Sequence, residues 1–241
     1  MKTLMKEKMT EHLETINSTV TRNRSKLGQR QEEMYSLAGE GMKHLVNTLC
    51  DIGMPVNYLE LGAYRGALTV AALWENQVTA YAVDNFKWDQ TAPNRYAEEG
   101  HPNVETALNN SIKAYKESWK GPNEITVVKG DLEDPSTVKQ IDKKIDIVFH
   151  DANKKGKWAD DFLSQYKDTL DKFCLIAVTK FQDVGTRGSF ENALKDNNFS
   201  IIDFQPIPDT GAGLDGRSGV GIYYLENKTT PVAAAPKVKN D

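Results

Sequence analysis

Cysteine and long apolar runs are both scarce in this 241-residue chain. Its two cysteines, Cys50 and Cys174, stand alone in apolar surroundings with no C-x-x-C spacing, so we expect buried thiols in a reducing compartment. No apolar run approaches the ~18 residues of a membrane span, and the N-terminal segment MKTLMKEKMTEHLETI is too charged for a signal peptide. These absences predict a soluble, cytoplasmic protein without a membrane partner.

An excess of charge of one sign is also missing. The chain has 30 basic and 34 acidic side chains, a net charge of −4, which argues against nucleic acid as the main partner because phosphate-backbone binding needs a basic surface. A local basic cluster, Lys154, Lys155 and Lys157, leaves room for a smaller anionic contact. The length and the hydrophobic content of 39% predict one domain with an appendage.

The dinucleotide fingerprint G-x-G-x-x-G is absent, and a different glycine turn stands in its place. Residues 57–68 read NYLELGAYRGAL, in which an apolar strand, Val56–Leu61, is followed by Gly62, Gly66 and a compact helix. Glu60 at the strand end would repel a pyrophosphate, but it suits a ligand that carries an ammonium and a sulfonium, as S-adenosylmethionine (SAM) does. The alternative is an ordinary glycine turn with a solvated acid.

Acidic residues recur at the ends of successive predicted strands. Asp84 closes the run VTAYAVD, 24 residues after Glu60, close to the spacing at which an acid meets ribose hydroxyls in nucleotide-binding βαβ units. Asp131 follows the third strand, and Asp151 follows the fourth. Because the carboxyl ends of parallel strands share one sheet edge, the four carboxylates are expected to converge there.

Strands alternate with helices along most of the chain, which predicts an α/β fold. We expect a doubly wound, Rossmann-like, seven-stranded sheet that is mostly parallel and ends in a C-terminal antiparallel hairpin. Residues 55–226 would form this domain, residues 1–54 an N-terminal helical extension and residues 227–241 a flexible tail. The predicted strands are Val56–Leu61, Val78–Asp84, Glu124–Val128, Ile145–His150, Phe173–Thr179, Phe199–Gln205 and Val220–Leu225.

The N-terminal extension carries an apolar stripe at helical spacing, formed by Met5, Met9, Leu13, Ile16 and Val20. One interpretation is a helix packed across its own domain. The other is a helix that pairs with a second subunit, which would make the protein a homo-oligomer.

The motifs resemble those of class I SAM-dependent methyltransferases over residues 57–226. LELGAYRG and VFHDANK are similar to small-molecule O-methyltransferases of the catechol and caffeoyl-CoA type, and AVDNFKW resembles sugar and macrolide O-methyltransferase-like proteins. The resemblance implies an enzyme that uses SAM to methylate a small-molecule or sugar acceptor, most often at oxygen. A non-catalytic protein that keeps the fold for assembly or binding is the alternative, and an NAD-type oxidoreductase is disfavoured by the missing fingerprint.

The resemblance also implies site residues. Gly62, Ala63, Tyr64 and Gly66 would surround the methionine part of SAM, and Glu60 would support its ammonium. Asp84, with Asn85 beside it, would bind the ribose, whereas Asp131 and Leu132 would lie at the adenine. Asp151 would stand near the methyl group and the acceptor. As helpers that remove the acceptor's proton, the candidates are Asp151, His150 and Lys180.

One departure from that family concerns metal binding. Metal-dependent O-methyltransferases carry an Asp-Asn pair at the end of the fifth strand, where this chain has Thr179 and Lys180. A lysine is a poor neighbour for a cation, so we expect no divalent metal. Asp183 as a substitute oxygen ligand is the alternative.

Overall fold

The computed structural model describes residues 8–9, 11–13, 15–16, 25–34, 38–87, 103–119, 121–152, 154, 156–208 and 219–229. Fourteen helices and strands with assigned bounds lie in these ranges. In chain order they are α1 (Gln29–Glu32), α2 (Glu40–Cys50), β1 (Val56–Leu61), α3 (Ala67–Leu73), β2 (Val78–Asp84), α4 (Val104–Ser118), β3 (Glu124–Lys129), α5 (Pro135–Val138), β4 (Ile145–His150), α6 (Trp158–Tyr166), β5 (Leu170–Thr179), α7 (Val184–Asp196), β6 (Phe199–Ile207) and β7 (Val220–Asn227).

The seven strands form one sheet in the order β3-β2-β1-β4-β5-β7-β6. The pairs from β3 through β5 are parallel, whereas β7 runs antiparallel to both β5 and β6. The predicted fold class is therefore confirmed, including the C-terminal hairpin. The order of strands reverses between β1 and β4, and ligands of open α/β sheets bind beside such a switch at the carboxyl ends of the strands.

Apolar side chains on the two faces of the sheet form two main cores. One face packs against α2 and α3, with Tyr58 and Phe149 among its buried residues. The other packs against α6 and α7, and it includes Leu59 and Val148. Because side chains alternate along a strand, neighbouring residues of β1 and of β4 enter different cores. This alternation decides which strand-end groups face the site.

The N-terminal stripe contributes to the first of these cores. Met9, Leu13 and Ile16 are each at most 2% exposed and belong to the same cluster as α2. The stripe is therefore covered within the chain at these residues, as the first interpretation has it, and pairing with a second subunit stays a prediction. Met5 and Val20 lie outside the described residues, as do residues 230–241 of the predicted tail.

The predictions about the cysteines and about membrane spans can be compared with the described residues. Cys50 and Cys174 are free, buried thiols, and burial raises the pKa of both. Among the described residues, the helices are all too short or too polar to cross a membrane.

Candidate active site

The glycine turn after β1 packs against the segment that follows β4. The Gly62 and Ala63 N–H groups both donate to the Val83 carbonyl, at 2.9 and 3.1 Å, which extends the β1–β2 pairing past the end of β1. Gly62 has φ +91°, and a Cβ there would lie 3.1 Å from backbone atoms of Asp151 and Ala152. A side chain is strained by this conformation, and its Cβ would also be crowded by backbone that must shift by a few tenths of an ångström.

Gly66, in the same turn, precedes the helix α3. It caps the N-terminus of α3 in the left-handed region, with φ +81°, and its N–H donates to Ala63 O at 2.9 Å. Tyr64 also has a positive φ, +50°. The turn is therefore tight, and its backbone is brought close to the ends of β2 and β4.

Asp84 holds the turn from the neighbouring strand. Its Oδ2 accepts the Tyr64 N–H at 2.8 Å, and its Oδ1 accepts the Phe86 N–H at 2.7 Å. Burial raises the pKa of Asp84, although these backbone hydrogen bonds act in the opposite direction. The two predicted site residues Tyr64 and Asp84 are thus in direct contact.

Glu60 lies beneath the turn and is 1% exposed. Its Oε2 accepts the Thr69 hydroxyl of α3 at 2.6 Å. Burial raises the pKa of Glu60 to about 8; the Thr69 hydrogen bond lowers it, and the charges of Asp151 and Asp84 raise it further. With this pKa Glu60 is mostly protonated at neutral pH, and a cation beside it would favour its ionised form.

Asp131 and Asn85 meet at the ends of β3 and β2. Asn85 Nδ2 donates to Asp131 Oδ1 at 2.6 Å, and Lys87 Nζ donates to Asp131 Oδ2 at 2.7 Å. These hydrogen bonds, from Lys87 first, lower the pKa of Asp131. Lys87 was not singled out from the sequence, because a surface lysine has no local signal for its partner. Leu132 is half-buried against the second core.

Asp151 begins the loop after β4 and contacts the end of β5. Its N–H donates to Leu61 O at 3.0 Å, and its Oδ1 accepts the Thr179 hydroxyl at 2.9 Å. Lys154 Nζ donates to the same Thr179 hydroxyl at 2.8 Å. Thr179 and Lys154 are both additions to the predicted set. No local sequence pattern assigns them to the site, because Thr179 is 25 residues from Lys154 and 28 from Asp151.

His150 lies on the opposite face of β4 from Phe149. Its ring packs edge-on against Trp158 and Phe162 of α6, with ring centroids 4.9 and 5.2 Å apart, and it is 2% exposed. Burial, followed by the charge of Lys154, lowers its pKa well below the usual value. This position under α6 does not support the candidate role of His150 as a base, because the ring is buried among aromatic side chains.

Lys180 and Asp183 follow β5. Lys180 is exposed and has a left-handed backbone, with φ +61°. Asp183 caps α7, where its Oδ1 accepts the Gly185 and Thr186 N–H groups at 2.8 and 3.4 Å. That carboxylate oxygen is engaged by the helix, which weakens the alternative in which Asp183 binds a metal. In the part of the chain that the structure describes, His, Cys, Asp and Glu side chains form no group of three that could hold a metal ion.

The structure thus brings most of the predicted cofactor residues to one edge. The charges of Asp84 and Asp151 are close enough to Glu60 to raise its pKa. The glycine turn packs against the backbone of Asp151 at Gly62. Asp131 joins the row through Asn85. Carboxylates along an edge that also presents a tight glycine turn can hold a cationic ligand with hydroxyl groups.

No protein-family model matches the sequence, and no curated protein matches it. Solved structures share the fold. TYW2 from M. jannaschii, in complex with AdoMet, has a TM-score of 0.54 and 14% identity over 80% of this chain and 78% of its own. PH1948 from Pyrococcus horikoshii, a putative RNA methyltransferase, has a TM-score of 0.50 and 14% identity over 90% of this chain and 98% of its own.

TrmN from Thermus thermophilus has the same fold, with a TM-score of 0.53 and 13% identity over 82% of this chain. The chain spans only about half of TrmN, 52% of its length. At such low identity these likenesses show the fold alone, a Rossmann-like α/β fold.

Proposed function

We propose that this protein is a SAM-dependent methyltransferase that transfers a methyl group to an oxygen of a small-molecule or sugar acceptor. The observation that carries the proposal is the buried Glu60 beneath the glycine turn, close to the carboxylates of Asp84 and Asp151. Ionising a buried acid beside two other acids is unfavourable, and a cationic ligand would relieve that cost.

The donor's groups match the residues along the edge. The ammonium of SAM suits Glu60, and its methionine part suits the turn formed by Gly62, Ala63, Tyr64 and Gly66. Its ribose hydroxyls suit Asp84 and Asn85, since carboxylate and amide oxygens accept hydroxyl protons. The adenine is assigned to Asp131 and the half-buried Leu132.

Methyl transfer is an in-line displacement that depends on alignment and on exclusion of water. The bond between the methyl carbon and sulfur breaks and leaves its electron pair on sulfur, while the acceptor oxygen bonds to the methyl carbon. The hydroxyl proton passes to a base, and Asp151 is the proposed group. Lys180, exposed at the end of β5, is assigned to orienting the acceptor. SAM supplies the methyl group and leaves as S-adenosylhomocysteine (SAH).

Calorimetric titration tests the donor. We expect SAM and SAH to bind, and NAD to give no heat because the turn after β1 lacks the G-x-G-x-x-G fingerprint that holds a pyrophosphate. Absence of binding by SAM would reject the proposal. SAM binding without methyl release over a panel of phenols, sugars and nucleotides, with and without magnesium, would instead favour the non-catalytic alternative. If RNA, added to the same assay, were methylated, the proposed small-molecule acceptor would be rejected, but the proposed methyltransferase activity would not.

Asp84→Asn is expected to weaken SAM binding by about 1–3 kcal/mol, the usual cost of disrupting a buried polar contact. The substitution removes the charge and disturbs the acceptor for Tyr64 N–H as well as the proposed ribose contact. Calorimetry of the variant against the wild type measures the loss.

Asp146→Asn is the matched control for that substitution. Asp146 is also buried and accepts a backbone N–H, from Asn57 at 2.8 Å, but it lies at the opposite end of the sheet. Both variants are expected to lose stability, whereas SAM affinity should fall only in Asp84→Asn. Equal SAM affinities in the two variants would show that the ribose site is assigned to the wrong residue.

A further inference from the structure

Lys154 brings its ammonium to the point where β4 and β5 end. Nζ donates to the carbonyl oxygens of His150 and Ala152, at 3.2 and 3.1 Å, and to Thr179 Oγ1 at 2.8 Å. It also lies 5.6 Å from the centre of the Trp158 ring, within the range of a cation–π contact. Three oxygens and an aromatic face therefore fix the position of this charge, although the residue belongs to a loop.

The hydrogen bonds around Thr179 run in one direction only. A lysine ammonium can only donate, and an ionised carboxylate can only accept. The Thr179 hydroxyl then accepts from Lys154, at 2.8 Å, and of its two acceptors Asp151 Oδ1, at 2.9 Å, is nearer than the carbonyl oxygen of His150, at 3.4 Å. One hydroxyl thus connects a fixed positive charge to the carboxylate that is assigned to the acceptor.

We infer that Lys154 is a positioning residue that orients Asp151 through Thr179 and gives the acceptor side of the site a positive charge. The inference rests on the proposed function and extends it to a residue outside the predicted site. Lys180, the strand-end lysine indicated by the sequence, is exposed, whereas Lys154 is half-buried at the junction of the two strands.

A fixed cation on this side has a specific consequence for the donor. SAM carries a positive sulfonium, and SAH carries a neutral thioether at the same sulfur. When the carbon–sulfur bond breaks, its electrons stay on sulfur, the acceptor oxygen gains the methyl group, and Asp151 takes the hydroxyl proton. Repulsion between Lys154 and the sulfur therefore disappears as the methyl group leaves, while a developing negative charge on the acceptor oxygen is stabilised.

The ratio of the SAM and SAH dissociation constants measures this effect without an identified acceptor. We would titrate SAM and SAH into the wild type, into Lys154→Met and Lys154→Gln, which remove the charge, and into Lys154→Arg, which keeps it. Gln retains polar contacts to the strand ends, so it serves if Met prevents folding, and circular dichroism checks each fold. Lys157→Met is the control, since Lys157 is an exposed lysine three residues further along the same segment.

Both neutral variants are expected to shift the ratio about three- to tenfold in favour of SAM, from the loss of Coulomb repulsion across the site. Lys154→Arg and Lys157→Met should stay within about twofold of the wild type. A merely structural role would weaken both ligands alike and leave the ratio unchanged. An unchanged ratio in the neutral variants, or an equal shift in Lys157→Met, would overturn the inference. SAM binding by the wild type would still support the proposed function in either case.

Discussion

Glu60→Gln is expected to stabilise the empty protein by about 2–4 kcal/mol at pH 8 and to weaken its binding of SAM. The pKa of Glu60 is raised to about 8, whereas in the unfolded chain it lies near the ordinary value of 4.5. Protons are then held more tightly by the folded state. The stability that Glu60 contributes is full below about pH 4.5 and is lost as the pH rises towards 8, by at most about 1.4 kcal/mol per pH unit.

Glutamine resembles the protonated acid and still accepts the Thr69 hydroxyl, so the variant should lack this decline. Chemical denaturation of both proteins between pH 5 and pH 8 measures it, and the two stabilities should approach each other at pH 5. Glu124→Gln is the control, because Glu124 is an exposed acid in a surface ion pair with Lys143. A variant that is less stable than the wild type at pH 8 would contradict the assignment of Glu60 as a neutral, buried acid.

The raised pKa of Glu60 also predicts that SAM binding releases a proton. If the ammonium of SAM makes Glu60 ionise, association at pH 7 should release up to one proton, and SAM affinity should rise between pH 6 and pH 8. Calorimetry in phosphate and in Tris, whose ionisation enthalpies differ, detects the proton as a difference in observed heat. Glu60→Gln should remove that difference.

Gly62→Ala is expected to lower the free energy of unfolding by about 2–4 kcal/mol and to abolish measurable SAM binding. Two costs combine there. A side chain is strained at φ +91°, and its Cβ would lie 3.1 Å from the backbone of Asp151 and Ala152, which cannot rotate away. The turn and the loop after β4 would have to separate, and both are assigned to the donor.

Gly156→Ala separates the two costs. Gly156 also has a positive φ, +62°, but a Cβ there would meet nothing within 4 Å. It should therefore lose only about 1 kcal/mol, from the backbone term alone, and keep its SAM affinity. Denaturation and calorimetry of the two alanine variants give the comparison. Similar losses in both would mean that the close contact of Gly62 with the loop after β4 carries no energetic weight.

Much of this fold could be predicted from the positions of short apolar runs in the sequence. The starts and ends of β1, β2 and β4 agree with the apolar runs, because strands buried on both faces consist almost entirely of apolar residues. The ends of other elements were less accurate. β5 begins at Leu170 rather than Phe173, since Asp171 and Lys172 hide the strand's start. For α7 the sequence pattern predicts residues 188–197, and the helix begins four residues earlier, at Val184, because Asp183 caps it.

Some residues of the candidate site could be predicted from the sequence, and others could not. The acids at the strand ends were visible because each follows an apolar run. Thr69, Thr179 and Lys154 were not, since their roles depend on partners that are distant in sequence, such as Glu60 for Thr69. His150 shows the opposite case, in which a residue type suited to catalysis lies one position from the cleft and is turned under α6 by strand alternation.

The strand order β3-β2-β1-β4 has a consequence for synthesis on the ribosome. β1 and its glycine turn emerge early, yet the strand that completes their other side is β4, and the backbone against which Gly62 closes belongs to Asp151 and Ala152. A nascent chain that has not yet extended past this loop therefore lacks one side of the site. We expect the carboxylates of Glu60 and Asp84 to stay hydrated until translation supplies that segment.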